Sequence, residues 1–258
     1  MVESAVTSER KTIDKAMRLL NEFSHDRREL AVTDLAELLG MHKSVVSRLA
    51  SSLKQWGMLE QNPVTGRLRI GSMAMRIGAL FQQRNVLAEI AMPLLADLVN
   101  TTRHSAHLSI LDGLRILVVA TIESPSALRV IMRVGDIRDL HTTAAGKLFL
   151  AFSDASLFDA AYRSTGFRAT TPKTISDRNE LHNSLTRIRR NRWAANQGEN
   201  TVGAGAFSAP ITDRKERVVA AVSTVFPMGA VDKDELENIR RHTIECADQL
   251  SRRLENLD

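Results

Sequence analysis

The sequence predicts an α+β protein of two domains, and three observations carry that reading. Residues 35–55, LAELLGMHKSVVSRLASSLKQ, give two helical apolar patterns interrupted at Gly40. Residues 58–70 follow with the alternation and turn chemistry of a short hairpin. From residue 104 the helical texture gives way to short β-like runs separated by turns.

In chain order, MVESAVTSERK reads as a short disordered start. TIDKAMRLLNEFS (12–24) sets Ile13, Ala16, Met17, Leu20 and Phe23 on one helical face, with Thr12 or Ser8 as a cap. Thr33 is the expected N-cap of the next helix, where Leu35, Leu38 and Leu39 repeat at helical spacing. Gly40 stands where a tight inter-helix turn needs a residue that tolerates positive φ. Val46, Leu49, Ala50 and Leu53 form the inner stripe of the following helix; Ser44, Ser47, Arg48 and Ser51 form the outer one. Short hydroxyls and one arginine let a helix approach a phosphate backbone and the base edges of a major groove. An ordinary helical hairpin with a solvated face would show the same 21 residues, so the pattern needs its context.

That context is a wing. Gly57 can end the helix, Asn62-Pro63-Val64-Thr65-Gly66 has turn chemistry, and Arg67, Leu68, Arg69 and Ile70 alternate basic with apolar. Charge agrees. From Gly40 to Asn85 there are seven basic residues (Lys43, Arg48, Lys54, Arg67, Arg69, Arg76, Arg84) and one acid, Glu60. That window carries +6, against +5 for the full 258 residues. A positive field confined to the reading head is the electrostatic footprint of a DNA-binding domain. The residues expected to meet double-stranded DNA are Lys43, Ser44, Val45, Ser47, Arg48, Arg67 and Arg69, with Val45 facing thymine methyl groups.

Residues 72–100 continue as a long helical pattern broken near Pro93. Met73, Ile77, Leu80 and Phe81 make a stripe that must be buried against a second copy or against the chain's own second domain. HSAHLSIL and LRILVVATIE flank Asp112-Gly113, which suits a type I′ hairpin turn. ALRVIMRV, TVGAGAFSAPIT and RVVAAVSTVF are further expected strands, and helical patterns lie at 146–162, 177–192 and 232–255. A central, mostly antiparallel sheet over about residues 86–258 follows. The expected limits are 10–70 for the winged domain, 71–85 for the linker helix and 86–258 for the second domain.

Composition and motifs exclude several classes. One cysteine, Cys246, rules out a disulfide scaffold and cysteine-based metal sites. No apolar run reaches the ~20 residues needed to cross a bilayer, and the N-terminus lacks a secretion signal, so no membrane role is expected and the location is read as cytoplasmic. His104 and His107 lack metal-ligand spacing. Ser153-Asp154 and Ser176-Asp177 read as helix caps, and no phosphate loop or dinucleotide fingerprint occurs. No catalytic residue, metal or cofactor is expected. In LHTTAAGKLFLAF (140–152), small residues stand before a helix, whose free N–H groups could hold a carboxylate. A tightly packed turn with a threonine cap reads the same.

With these pieces assembled, the chain resembles the IclR family of bacterial transcriptional regulators. The resemblance rests on LAELLGMHKSVVSRLASSL, TGRLRIG, DLHTTAAGKLFLA, Gly203 with Ala209-Pro210-Ile211, and VVAAVST. It implies a GAF-like effector-binding domain behind the winged helix-turn-helix. It also implies a homodimer or tetramer on a pseudo-palindromic operator, and a repressor of catabolic genes controlled by a small organic acid. By position it places Thr143, Ala144, Ala145, Gln197, Glu199, Ala206 and Ser223 at the effector. The family's frequent acidic cluster is reduced here to Glu199, within Asn196-Gln197-Gly198-Glu199, which lowers repulsion of an anion. Two alternatives are a DNA-binding protein whose second domain only oligomerises, and an enzyme domain fused to a DNA-binding module.

Overall fold

The computed structural model describes residues 2–84 and 86–256, with the side chains of 2–10 left aside. The chain divides into two compact units, Met1–Asn85 and Val86–Asp258.

The first unit is built on nine buried apolar residues, among them Leu19, Leu35, Val46, Leu49, Leu59 and Leu68. Helix α1 (Val2–Asn21) starts well before the expected residue 12. No glycine or proline interrupts residues 2–21, so nothing in the sequence stops the helix from extending upstream. Helix α2 (Val32–Leu39) begins one residue earlier than Thr33 predicts: Ala31 is the N-cap. Ala31 has no side-chain acceptor, and the bond that fixes this end runs the other way. The Asp34 carboxylate accepts the Ala31 N–H at 3.0 Å, the acid half of a capping box. Helix α3 (Lys43–Gln55) follows. Strands β1 (Leu59–Gln61) and β2 (Leu68–Ile70) pair antiparallel, with Glu60 opposite Arg69.

Helix α4 (Ser72–Gln83) closes this unit and has no buried residue. The expected linker helix runs to Asn85, which lies outside the described residues, as do Leu257 and Asp258 of the second domain. Helix α5 (Val86–Thr102) opens the second unit and contains Pro93 in its interior, where a break was expected. Pro93 is exposed, so the backbone bond it forfeits lies on the solvent side. Ala91, Leu94, Leu95 and Leu98 meanwhile bury the opposite face.

The second unit holds one six-stranded sheet in the order β5-β4-β3-β8-β7-β6, antiparallel at every pairing. Its strands are β3 (Ser105–Asp112), β4 (Arg115–Ile122), β5 (Ile137–Asp139), β6 (Ala194–Gln197), β7 (Ala204–Thr212) and β8 (Val218–Pro227). Asp112 pairs with Arg115, so the β3–β4 loop is Gly113-Leu114, one residue on from the expected Asp-Gly. Gly113 takes φ +57 at the first central position, which a side chain would resist. ALRVIMRV forms no strand; residues 123–136 are irregular. Its apolar side chains are needed elsewhere, since Val130 and Met132 line a cavity described below.

Helices cover both faces of the sheet. Helices α5 and α9 (Lys233–Glu255) pack on one, around Leu95, Leu108, Val222 and Leu250. Helices α6 (Ala144–Phe152), α7 (Ala155–Thr165) and α8 (Arg178–Asn191) cover the other, around Phe149, Phe167, Leu181 and Ala221. The single pattern expected over 146–162 is therefore two helices, divided at Ser153-Asp154. Cys246 is buried under α5, and burial pushes its thiol up to about 12.

Two glycines test this packing with opposite signs. A Cβ on Gly146 would sit 2.2 Å from the Leu140 carbonyl oxygen, whereas one on Gly78 of α4 meets nothing within 4 Å. Gly146→Ala should cost about 1–3 kcal/mol or more by thermal or urea unfolding. Gly78→Ala should stabilise by roughly 0.5–1 kcal/mol.

Candidate functional site

Gly40 makes the turn of the helix-turn-helix. It adopts φ +61, and the next amide, Met41 N, donates to Ala36 O at 2.9 Å, closing α2 before α3 begins. The burial of Val46, Leu49 and Ala50 then fixes the rotation of α3. Lys43, Ser44, Ser47, Arg48 and Ser51 face outward and are exposed. Val45 is half-buried and packs on the core of the first unit, so the structure seats it beside the reading face. Lys43 and Arg48 make no hydrogen bond or ion pair among the described residues; their charges are available.

The wing arginines are differently placed. Arg67 Nη1 lies 3.2 Å from Asp34, and Arg69 Nε lies 2.5 Å from Glu60. Glu29 comes within 4.0 Å of Arg69 and accepts from the Asn62 amide at 2.8 Å and the Thr65 hydroxyl at 3.1 Å. The Asn62 bond first, with Thr65 and the two arginines, holds the Glu29 carboxyl below its ordinary range. Asp34 and Glu29 lie just upstream of the +6 window, so the window overstates the free charge of the wing. Exposed pairs of this kind contribute only about 0–1 kcal/mol. Phosphates could exchange for the carboxylates at small cost.

In the second unit the start of α6 faces a cavity of about 490 Å³. Thr143 caps the helix, its hydroxyl accepting Gly146 N–H at 3.0 Å. Gly146 has no side chain because the helix start lies against Leu140. The N–H groups of Ala144 and Ala145, the first two of the helix, have no acceptor among the described residues. They are the unsatisfied donors that a helix N-terminus presents to an anion. Thr143, Ala144, Ala145, Ala206 and Ser223 all line this cavity.

Gln197 and Glu199 do not. Strand alternation turns Asn196 inward, where its amide donates to Thr142 O at 2.5 Å and its oxygen accepts the N–H groups of Gly198 and Glu199. Gln197 is exposed, and Glu199 lies behind the cavity in a buried pair with Lys147 of α6, at 2.6 and 2.7 Å. Burial pulls the Lys147 ammonium below its usual range, and the Glu199 charge opposes that pull. This pair and the Asn196–Thr142 bond tie the 196–200 segment to the helix start.

Sequence reasoning missed His107, Arg138, Asn196 and Ser208 as cavity residues. The signal for His107 lay in the alternation of SAHLSIL. Positions 107 and 109 share a face opposite buried Ala106 and Leu108, so both polar side chains point toward α6. His107 is 4% exposed. Burial first, against a partly compensating attraction from Asp136, lowers its pKa to about 4. Among the described residues no cluster of histidine, cysteine, aspartate and glutamate could hold a metal ion. No helix of the described residues is long and apolar enough to cross a membrane.

Residues 80–252 match the family described as bacterial transcriptional regulator IclR C-terminal, and residues 12–63 match the IclR helix-turn-helix domain. The transcriptional regulator XynR of Escherichia coli K12 is 29% identical over 243 residues, 94% of this chain and 96% of its own. A solved IclR transcriptional regulator from Silicibacter sp. TM1040 superposes with a TM-score of 0.81 at 28% identity, covering 95% of this chain and 96% of its own. An IclR homologue from Microbacterium hydrocarbonoxydans, solved with 4-hydroxybenzoate, has a TM-score of 0.75 at 21% identity. It covers 94% of this chain and 99% of its own.

Two buried groups give measurable consequences. Lys147→Met alone leaves the Glu199 carboxylate without its cation and should cost about 3–5 kcal/mol in urea unfolding. Lys147→Met with Glu199→Gln should recover most of that loss. For His107, the unfolded imidazole titrates near 6.5 and the folded one near 4. Stability is therefore full above pH 6.5 and falls as pH drops toward 4, by roughly 3 kcal/mol for this group. In thermal melts from pH 7 to pH 4.5, His107→Gln should show a shallower decline than the unsubstituted protein.

Proposed function

Because the chain belongs to the IclR family of bacterial transcriptional regulators, we propose that its two units divide the work into a reading head and a ligand sensor. As a DNA-binding regulator it acts by occupancy of DNA, and no step of its action requires catalysis. Lys43, Ser44, Ser47 and Arg48 enter the major groove, and Arg67 and Arg69 exchange Asp34 and Glu60 for backbone phosphates. Val45 contributes through the packing that orients α3. The observation that supports this most directly is the pair of free cations on the exposed face of α3.

The family's palindromic mode of reading needs a second copy. Exposed Met75, Ile77, Leu80 and Phe81 on α4 favour dimerisation there. We take 10–70, 71–85 and 86–258 as the functional limits of head, linker and sensor, and the cytoplasm as the place of action. The effector is a carboxylate held by the Ala144 and Ala145 amides beside Thr143, Ala206 and Ser223. The Microbacterium homologue's 4-hydroxybenzoate is a ligand of that chemical class. Gln197 and Glu199 act indirectly, by holding the segment behind the cavity. Binding shifts the occupancy of an operator near catabolic genes, with repression as the default state. An effector can do this only through different affinities for the two states of the protein.

The test separates the two halves. Arg48→Ala should reduce operator affinity by about 1–3 kcal/mol in fluorescence anisotropy while leaving ligand-induced thermal shifts unchanged. Ala144→Leu should keep operator affinity and lose the response to carboxylates. A carboxylate response that survives Ala144→Leu would remove the effector from the start of α6.

A further inference from the structure

Opposite the start of α6, the cavity is floored by a row of uncharged polar side chains that the carboxylate site leaves unused. His107 of β3 stands beside Ser223 of β8, and Ser223 beside Ser208 of β7, so the three form one cross-strand row. All three line the cavity, and all three are at least nine-tenths buried. The surrounding positions on this sheet face, Ala206, Ala221 and Ile116, are apolar.

The row is incompletely paired. Ser208 and Ser223 share one hydrogen bond at 2.6 Å, which leaves one of their two hydroxyl hydrogens without an acceptor. Neither ring nitrogen of His107 has a partner among the described residues. Nδ1 is sealed from solvent, so Nε2 is the nitrogen that the cavity reaches. Two residues along the strand, the Ser109 hydroxyl is also buried and unpaired. Unsatisfied polar groups cost about 1–3 kcal/mol each in an apolar surround, and native proteins leave few of them. A row of three, two of them on one strand, is what a site looks like before its ligand supplies the missing bonds.

We propose that His107, with Ser208 and Ser223, selects an effector that carries one carboxylate and, at its other end, an uncharged hydroxyl or carbonyl group. The proposal rests on the carboxylate site at Ala144 and Ala145 and adds the chemistry of the opposite end. The charged groups facing His107 are Asp136 and Arg138. They lie 3.4 Å from each other and compensate one another. A second ligand carboxylate would therefore meet a neutral imidazole and two serines, and would lose its hydration without gaining a counter-charge. A plain alkyl end would leave the row unpaired. Sites built to bond a ligand hydroxyl reject the analogue lacking it more strongly than apolar pockets discriminate by size.

The test uses the full-length protein and triplets of equal chain length, from three to six carbons: the fatty acid, its terminal hydroxy acid and the dicarboxylic acid. Binding is read by calorimetry. The best-fitting hydroxy acid should bind at least about tenfold more tightly than both companions, a difference of about 1.4 kcal/mol. His107→Leu should erase that preference while still binding the fatty acid, and His107→Gln should restore part of it. A structural role for His107 would lower affinity for all three ligands together. Equal affinities within the triplets, or a preference that persists in His107→Leu, would overturn the proposal and leave the carboxylate site standing. If no member of any triplet binds, the carboxylate site falls and this inference with it.

Discussion

The close approach of α6 to the strand before it is the constraint on which the sensor unit depends. At Gly146 the helix backbone comes so near Leu140 that a methyl group would overlap the carbonyl. The approach is possible only for glycine, and it points the helix start at the cavity. Thr143 caps one of the exposed amides and leaves those of Ala144 and Ala145 open. A helix start placed in this way is buried on most sides, where its partial positive charge is poorly screened and an anion gains most.

Energetic weight is distributed accordingly. The pairs around the wing are solvent-exposed and individually weak, which suits a surface that must trade protein carboxylates for phosphates. The Lys147–Glu199 pair is buried on both sides, with side chains 3% and 9% exposed. Such a pair adds little net stability over an apolar alternative but makes any separation of its members expensive. Thr170, Thr171 and Thr174 hydroxyls donate to the Glu199 carbonyl as well. The wall of the cavity nearest the helix start is thus rigid, and adaptability is left to the irregular segment carrying Val130 and Met132.

Much of this was legible in the sequence, for reasons that differ by element. The turn at Gly40, the wing and the outward stripe of α3 depend on local spacing, so pattern alone predicts them. Ala144 and Ala145 were found through a resemblance and the general behaviour of helix starts. The misplaced features have non-local causes. Pro93 does not break α5 because tertiary packing holds the buried face. The α2 cap is decided by a side chain three residues away, Asp34. Glu199 was expected in the cavity, but its role is set by Lys147, 52 residues distant in the chain. His107 was dismissed as lacking metal spacing, since a cross-strand row with Ser223 and Ser208 becomes visible only when β3, β8 and β7 are in register.

The central claim is that the cavity at the start of α6 and the exposed face of α3 are thermodynamically linked. Linkage is reciprocal: a ligand that changes operator affinity by some factor has its own affinity changed by the same factor. The most direct measurement is a closed binding cycle on the full-length protein. Operator affinity is titrated with and without the carboxylate that most raises the thermal midpoint, and carboxylate affinity with and without operator. The account predicts equal factors on both sides of the cycle, of about 5–150-fold. Operator affinity that is unchanged at saturating carboxylate would contradict it.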